Sequence, residues 1–144
     1  MNSIAVLLTS HNRKDKTLRA LETLYMHYKK VNGNFSLEVY ITDDGSTDGT
    51  SEAIAKSYPQ VHLLKGDGNL FWAEGMRNSW KEALKGKYDA YFLLNDDVEL
   101  YANIFDQILI THKYCLEKYG RSGLYIGSTE DKIKQKLTYS GSLI

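Results

Sequence analysis

The chain has one cysteine and one proline in 144 residues, no excess charge of either sign and no long apolar run. A lone thiol, Cys115, can form neither an intramolecular disulfide nor a thiolate metal cluster, and the reading is a reducing, cytoplasmic setting. Its place on the apolar side of a predicted helix makes it a buried, inert thiol rather than a nucleophile. Lys plus Arg equals Asp plus Glu at 18 each. A domain that grips nucleic acid through phosphates carries a basic excess, so nucleic acid is not expected as a partner. The longest apolar stretches, residues 4–8 and 90–94, fall far short of the roughly 20 residues that cross a bilayer. The opening residues also lack the basic start and apolar centre of a signal peptide. No transmembrane segment is expected, which leaves peripheral association at the inner face of a membrane as the expected limit of membrane contact.

What is present is enough apolar sequence for one domain with its own core: 42% hydrophobic over 144 residues. Short apolar runs alternate with amphipathic stretches. Residues 3–9, 37–42, 61–64 and 90–94 read as strands, the first and last continuously apolar and therefore buried. Helices are predicted over 16–30, 48–57, 73–84 and 103–119, the second stopped by Pro59. Residues 124–127 and 137–139 read as further short strands. Such alternation implies an α/β fold with a mostly parallel, doubly wound sheet and helices on both faces. Ligands of these sheets bind beyond the carboxyl ends of the strands.

Those ends carry the polar residues. The first strand runs into Thr9-Ser10-His11-Asn12-Arg13, the second into Asp43-Asp44-Gly45-Ser46-Thr47-Asp48, the fourth into Asn95-Asp96-Asp97. Gly45 to Asp48 is ordinary turn and helix-capping chemistry. Two adjacent carboxylates are not, because their repulsion must be offset; Asp43 or Asp44 could accept from a nucleobase N–H or from ribose hydroxyls. Asp96 and Asp97 offer hard oxygen ligands, which suit Mg²⁺-type ions shared with phosphate oxygens. Such an ion would neutralise charge growing on a nucleotide leaving group. Between the third strand and the third helix lies Gly66-Asp67-Gly68-Asn69-Leu70-Phe71-Trp72, where glycines permit close backbone approach. It matches neither the phosphate-loop nor the dinucleotide-binding glycine pattern. Arg77, one turn into that helix, could reach back to a phosphate or base, while Phe71 reads as core.

Taken in order, these segments resemble the family 2 glycosyltransferases of GT-A fold. The resemblance rests on Thr9 to Arg13, on Asp43 to Asp48, on Gly68 to Asn78 and on Asn95-Asp96-Asp97. It implies that residues 1–144 are the nucleotide-sugar-binding part of such an enzyme, the acceptor-binding part being absent. It further implies that Thr9, His11 and Asp43 line the nucleobase and ribose, that Arg77 contacts the nucleotide, and that Asn12, Arg13, Asp44, Asn95 and Asp96 complete the donor site. Asp97 would hold a divalent cation, Mn²⁺ or Mg²⁺. His11 stands where an aromatic is usual, and Asn95 where the first Asp of the acidic motif is usual.

The implied reaction is inverting transfer from a UDP- or dTDP-linked sugar to a hydroxyl of a glycan or lipid-linked acceptor, in bacterial surface polysaccharide synthesis. Inversion needs a general base, expected beyond residue 144. Glu130-Asp131 reads instead as the polar end of a hairpin-like connection. Two alternatives stand beside this one: a non-catalytic nucleotide-sugar-binding module, and a sugar-phosphate nucleotidyltransferase. His11-Asn12-Arg13-Lys14 is not the glycine-rich basic loop of the latter. A phospho-acceptor receiver domain is disfavoured by Thr9-Ser10 at the end of the first strand.

Overall fold

A computed structural model describes residues 1–31, 34–131 and 133–139. It divides into two units, Met1–Asp106 and Gln107–Ile144. The first unit is built on a four-stranded, wholly parallel sheet of β1 (Ser3–Ser10), β2 (Ser36–Asp43), β3 (His62–Lys65) and β4 (Ala90–Leu93), ordered β3-β2-β1-β4. β1 is central, and Ile4 to Leu8 are at most 1% exposed. Ala5, Leu7 and Tyr40 pack against Met76 and Ala83 of α3 (Phe71–Ala83). Their alternates Ile4, Val6, Leu8, Val39 and Ile41 are buried as completely, so both faces of the sheet are covered, as parallel strands require. Each such aliphatic side chain contributes about 1.5–3 kcal/mol relative to exposure.

β4, expected as a buried strand, is half-buried with Leu93 42% exposed. It pairs with β1 and lies at the end of the strand order. An apolar run alone does not distinguish a central strand from an outer one.

α1 (Lys14–Tyr28) buries Thr17, Ala20, Leu21, Thr23, Leu24 and His27, the three-and-four spacing of an amphipathic helix. It starts two residues before the expected position. Its N-cap Arg13 makes no side-chain cap; the Lys14 N–H instead donates to Asp48 Oδ2 at 3.0 Å. The other oxygen of Asp48 accepts from the Thr50 N–H at 3.1 Å and the Thr50 hydroxyl at 2.5 Å, and so caps α2 (Thr50–Ser57). These bonds hold the Asp48 carboxyl below the usual carboxylate range, the Thr50 hydroxyl contributing most. α2 ends before Pro59, as expected.

Tyr58, the residue that ends α2, also stacks on Tyr25 of α1, with ring centroids 5.5 Å apart. Burial pushes the Tyr25 phenol up to about 12, against about 10 in an unfolded chain. Between those values the unfolded chain loses a proton that the folded one keeps, so raising the pH there favours unfolding. The urea midpoint is therefore expected to fall as pH rises from about 10 toward 12, and to fall less steeply in Tyr25→Phe. Parallel pH profiles for the two proteins would contradict this.

The second unit holds most of α4 (Ile104–Tyr119) and an antiparallel hairpin of β5 (Thr129–Asp131) and β6 (Lys136–Tyr139). Asp131 Oδ1 accepts the N–H groups of Ile133 and Lys134 at 2.8 and 3.0 Å, so Glu130-Asp131 does form the end of a hairpin strand. The strand expected over 124–127 is not formed: those residues carry no regular structure, and Leu124 is 89% exposed. Cys115 is half-buried rather than buried; of the α4 residues, Phe105 alone is buried. Among the described residues no helix is long and apolar enough to cross a membrane.

Candidate functional site

The register places the polar ends of the strands side by side: Ser10 opposite Asp43, Asp43 opposite Lys65, and Leu7 opposite Leu93 just before Asn95. Three loops therefore share one edge of the sheet. They are fastened to each other by side chains. The Asn12 N–H donates to Ser46 Oγ at 2.9 Å, and Asn12 Oδ1 accepts the Thr47 N–H at 2.8 Å, tying the loop after β1 to the loop after β2. His11 Nδ1 lies 2.5 Å from the Asp44 carbonyl. A carbonyl only accepts, so the proton sits on Nδ1, and Nε2 is left to accept from Asn12 Nδ2 at 3.1 Å.

The two acidic residues at the end of β2, Asp43 and Asp44, are each 3% exposed and serve different partners. Asp43 accepts the Ser46 N–H at 3.2 Å and the Ser51 hydroxyl. Asp44 accepts three backbone N–H groups of the glycine-rich segment: Gly68 at 2.8 Å, Leu70 at 2.9 Å and Phe71 at 3.0 Å. It thus caps α3 from another loop. The loops touch closely there, since a Cβ on Gly45 would sit 2.9 Å from Gly68 N. Thr9, 7% exposed, donates to the Thr42 carbonyl at 3.3 Å and lies under Gly75 of α3, where only glycine fits.

On the β4 side, Arg13 Nη1 is 3.2 Å from both Asp96 Oδ1 and Asp97 Oδ2. Asp96 is 5% exposed and accepts the Thr17 hydroxyl at 3.4 Å, whereas the Asp97 side chain is 40% exposed. Asn95 Oδ1 accepts the indole N–H of Trp72 at 2.9 Å. A cleft of about 240 Å³ lies among these groups, lined by Thr9, Ser10, His11, Arg13, Asp44, Phe71, Trp72 and Asp96. Phe71 contradicts its core assignment. It is 78% exposed with φ +54°, a conformation few bulky residues adopt; its N–H is held by Asp44, and its ring stands at the cleft.

Six of the residues that line this cleft or clasp its carboxylates were expected from sequence: Thr9, His11, Arg13, Asp44, Asp96 and Asp97. Asn12 and Asn95 tie the rim together, and Asp43 is enclosed beneath it. Arg77 is not brought to the cleft. It pairs with Glu74 at 3.0 Å and lines a separate hollow of about 460 Å³ with Lys65, Asn78 and Lys81. The segment around Leu70 and Phe71 contributes to both hollows. Ser10, Phe71 and Trp72 were missed as lining residues; a polar residue closing an apolar strand was the available signal for Ser10.

Among the described residues no group of three or more His, Cys, Asp or Glu is arranged for a metal. The donor chemistry of Asp96 and Asp97 nevertheless fits a hard cation that takes one or two carboxylates and completes its shell with phosphate and water.

The model of "Glycosyl transferase family 2" matches residues 5–111, which takes in all but the first two residues of the sheet, the cleft and the first half of α4. The chain belongs to glycosyl transferase family 2. Solved structures agree with the family 2 assignment at the level of the fold. The mannosyltransferase PcManGT from Pyrobaculum calidifontis, in complex with GDP-Man and Mn²⁺, superposes with a TM-score of 0.59 at 16% identity, covering 74% of this chain and 31% of that one. S. aureus TarS 1-349 in complex with UDP gives 0.60 at 16% identity, covering 79% and 32%. This family 2 chain therefore spans about a third of the length of those proteins. No curated protein matches it.

Proposed function

We propose that residues 1–144 are the donor-binding part of an inverting glycosyltransferase that takes a sugar from a UDP- or dTDP-linked donor to an acceptor hydroxyl. The observation that carries this is the convergence of Thr9, His11, Arg13, Asp44 and Asp96 on one cleft beyond the strand ends, where α/β sheets take their ligands. In this reading Thr9 and His11 meet the base and ribose, with Asp43 enclosed beneath them, and the Arg13, Asp96 and Asp97 group faces the diphosphate. A divalent cation held by Asp97, with Asp96 behind it, would supply charge neutralisation for the departing diphosphate. The structures named above are complexes with GDP-Man and Mn²⁺ and with UDP, nucleoside-diphosphate ligands like the donor proposed here, though one carries a different base. The acidic general base and the glycan or lipid-linked acceptor belong, in this reading, to an acceptor-binding part outside these residues. The setting is cytoplasmic, at the inner face of the membrane, in surface polysaccharide synthesis.

Calorimetric titration with UDP and dTDP, each with and without Mn²⁺, tests the reading. Mn²⁺ is expected to tighten nucleotide binding, and Asp97→Ala to lose at least about tenfold, or ~1.4 kcal/mol, of the Mn²⁺-supported affinity. Nucleotide binding indifferent to both would sink the cation assignment. Preference for a nucleoside triphosphate together with a sugar phosphate would favour a nucleotidyltransferase.

A further inference from the structure

Arg13 occupies an unusual position among the charges of the cleft. One nitrogen, Nη1, bridges the carboxylates of consecutive residues at 3.2 Å each. Adjacent carboxylates repel, and more strongly when one of them has left water; Asp96 is 5% exposed. The guanidinium offsets that repulsion. It also occupies Oδ2 of Asp97, the carboxylate assigned to the proposed cation. A hard cation ligated by that carboxylate and a guanidinium nitrogen in hydrogen-bond contact with it compete for the same charge. The bridge is unequal: its Asp96 end is enclosed, at 7% side-chain exposure, whereas its Asp97 end and Arg13 itself are 40% and 49% exposed. The Asp97 end is therefore the one that can open.

We propose that the Arg13 guanidinium competes with the divalent cation for Asp97, so that the cation binds by exchange and frees Arg13 to face the donor's diphosphate. This rests on the reading of Asp97 as a cation ligand. Arg13 lines the same cleft, and a guanidinium released from a carboxylate finds in phosphate oxygens the other acceptor its planar fork fits best. Exchange makes cation and nucleotide mutually supportive. The cation displaces Arg13 from Asp97, and the diphosphate accepts what was displaced, so each ligand lowers the cost of binding the other. The proposal thus assigns Arg13 a positioning role between two ligands rather than a fixed contact to one.

The test is Mn²⁺ binding to the whole chain, read from the electron paramagnetic resonance signal of free Mn²⁺, alone and with UDP. In Arg13→Gln, Mn²⁺ alone is expected to bind about tenfold more tightly than in the parent. The tightening that UDP confers on Mn²⁺ is expected to shrink in the variant, and Asp97→Asn should abolish the site in both backgrounds. Saturable, Asp97-dependent Mn²⁺ binding that is equal or weaker in Arg13→Gln would overturn the exchange while leaving the cation reading intact. No saturable binding in parent or variant, with or without UDP, would overturn both. Because Arg13→Gln leaves Asp96 without its counter-ion and can fail to fold, the parent is also followed by the Arg13 Nε–H resonance in ¹⁵N-labelled protein titrated with Mg²⁺. Movement of that resonance in step with occupancy is expected; a stationary resonance at saturation would refute the exchange.

Discussion

Replacing Asp44 by alanine is expected to lower stability by about 3 kcal/mol, because hydrogen bonds to a charged group contribute about 1.5–3 kcal/mol each and this carboxylate accepts three. The sum is reduced because the segment it holds is only partly buried, and water can reach some of the released N–H groups. For a chain of this size the loss corresponds to roughly 10 °C in the melting temperature. Asp44→Asn keeps one acceptor oxygen but turns an amide NH₂ toward backbone donors, so it should fall between the parent and the alanine variant. Half-exposed Asp97 gives the comparison: Asp97→Ala should change stability by less than about 1 kcal/mol. Urea denaturation of the three variants decides it, and an Asp44→Ala loss no larger than that of Asp97→Ala would refute the capping role.

Gly75→Ala sets two effects against each other. Helix propensity favours alanine over an interior glycine by about 0.8–1 kcal/mol, and Gly75 lies inside α3. Sterics oppose it: a Cβ there would meet the Thr9 hydroxyl and stand 2.9 Å from Thr9 Cβ. Neither side can yield cheaply, since Thr9 is on the central strand and Ser79 ties α3 to the same strand through the Leu8 carbonyl at 2.7 Å. Overpacking costs about 1–3 kcal/mol and sometimes more, so sterics should win, with a net loss of about 2 kcal/mol. Thr9→Ala removes the hydroxyl, and the double variant Thr9→Ala/Gly75→Ala should recover part of the loss, a coupling that a double-mutant cycle reads directly. A Gly75→Ala protein as stable as its parent would show that α3 rides higher on the sheet than described.

The parallel sheet was legible because its strands are short, apolar and separated by helical periods, a pattern that leaves few folds open. The edge that carries the site was legible for the same reason: polar residues end three strands, and parallel strands end together. What sequence could not reveal depends on contacts distant along the chain. α1 begins at Lys14 rather than at residue 16 because its first N–H is capped by Asp48, 34 residues away. Phe71 reads as core by its chemistry, yet Asp44 accepts its N–H where its φ is positive, and Asn95 accepts the indole N–H of Trp72, with both rings at the cleft. Arg77 was placed on the right helix, but helical spacing does not say on which side of the preceding loop a side chain emerges. The acidic pair after β4 was visible as a pair. Its bond to Arg13 was not, since nothing announces a partner 83 positions earlier in the chain.

The knots between Asn12 and the Ser46-Thr47 turn, and between Asp48 and the starts of α1 and α2, change where the entropy of ordering these loops is spent. It is spent once, when the chain folds, and not again each time a small molecule settles in the hollow. The hollow is in that sense a mould already cast: what enters it is judged by fit and charge, not by its power to gather loose chain. Two side chains that need touch no ligand, an amide and a carboxylate, keep that mould in shape.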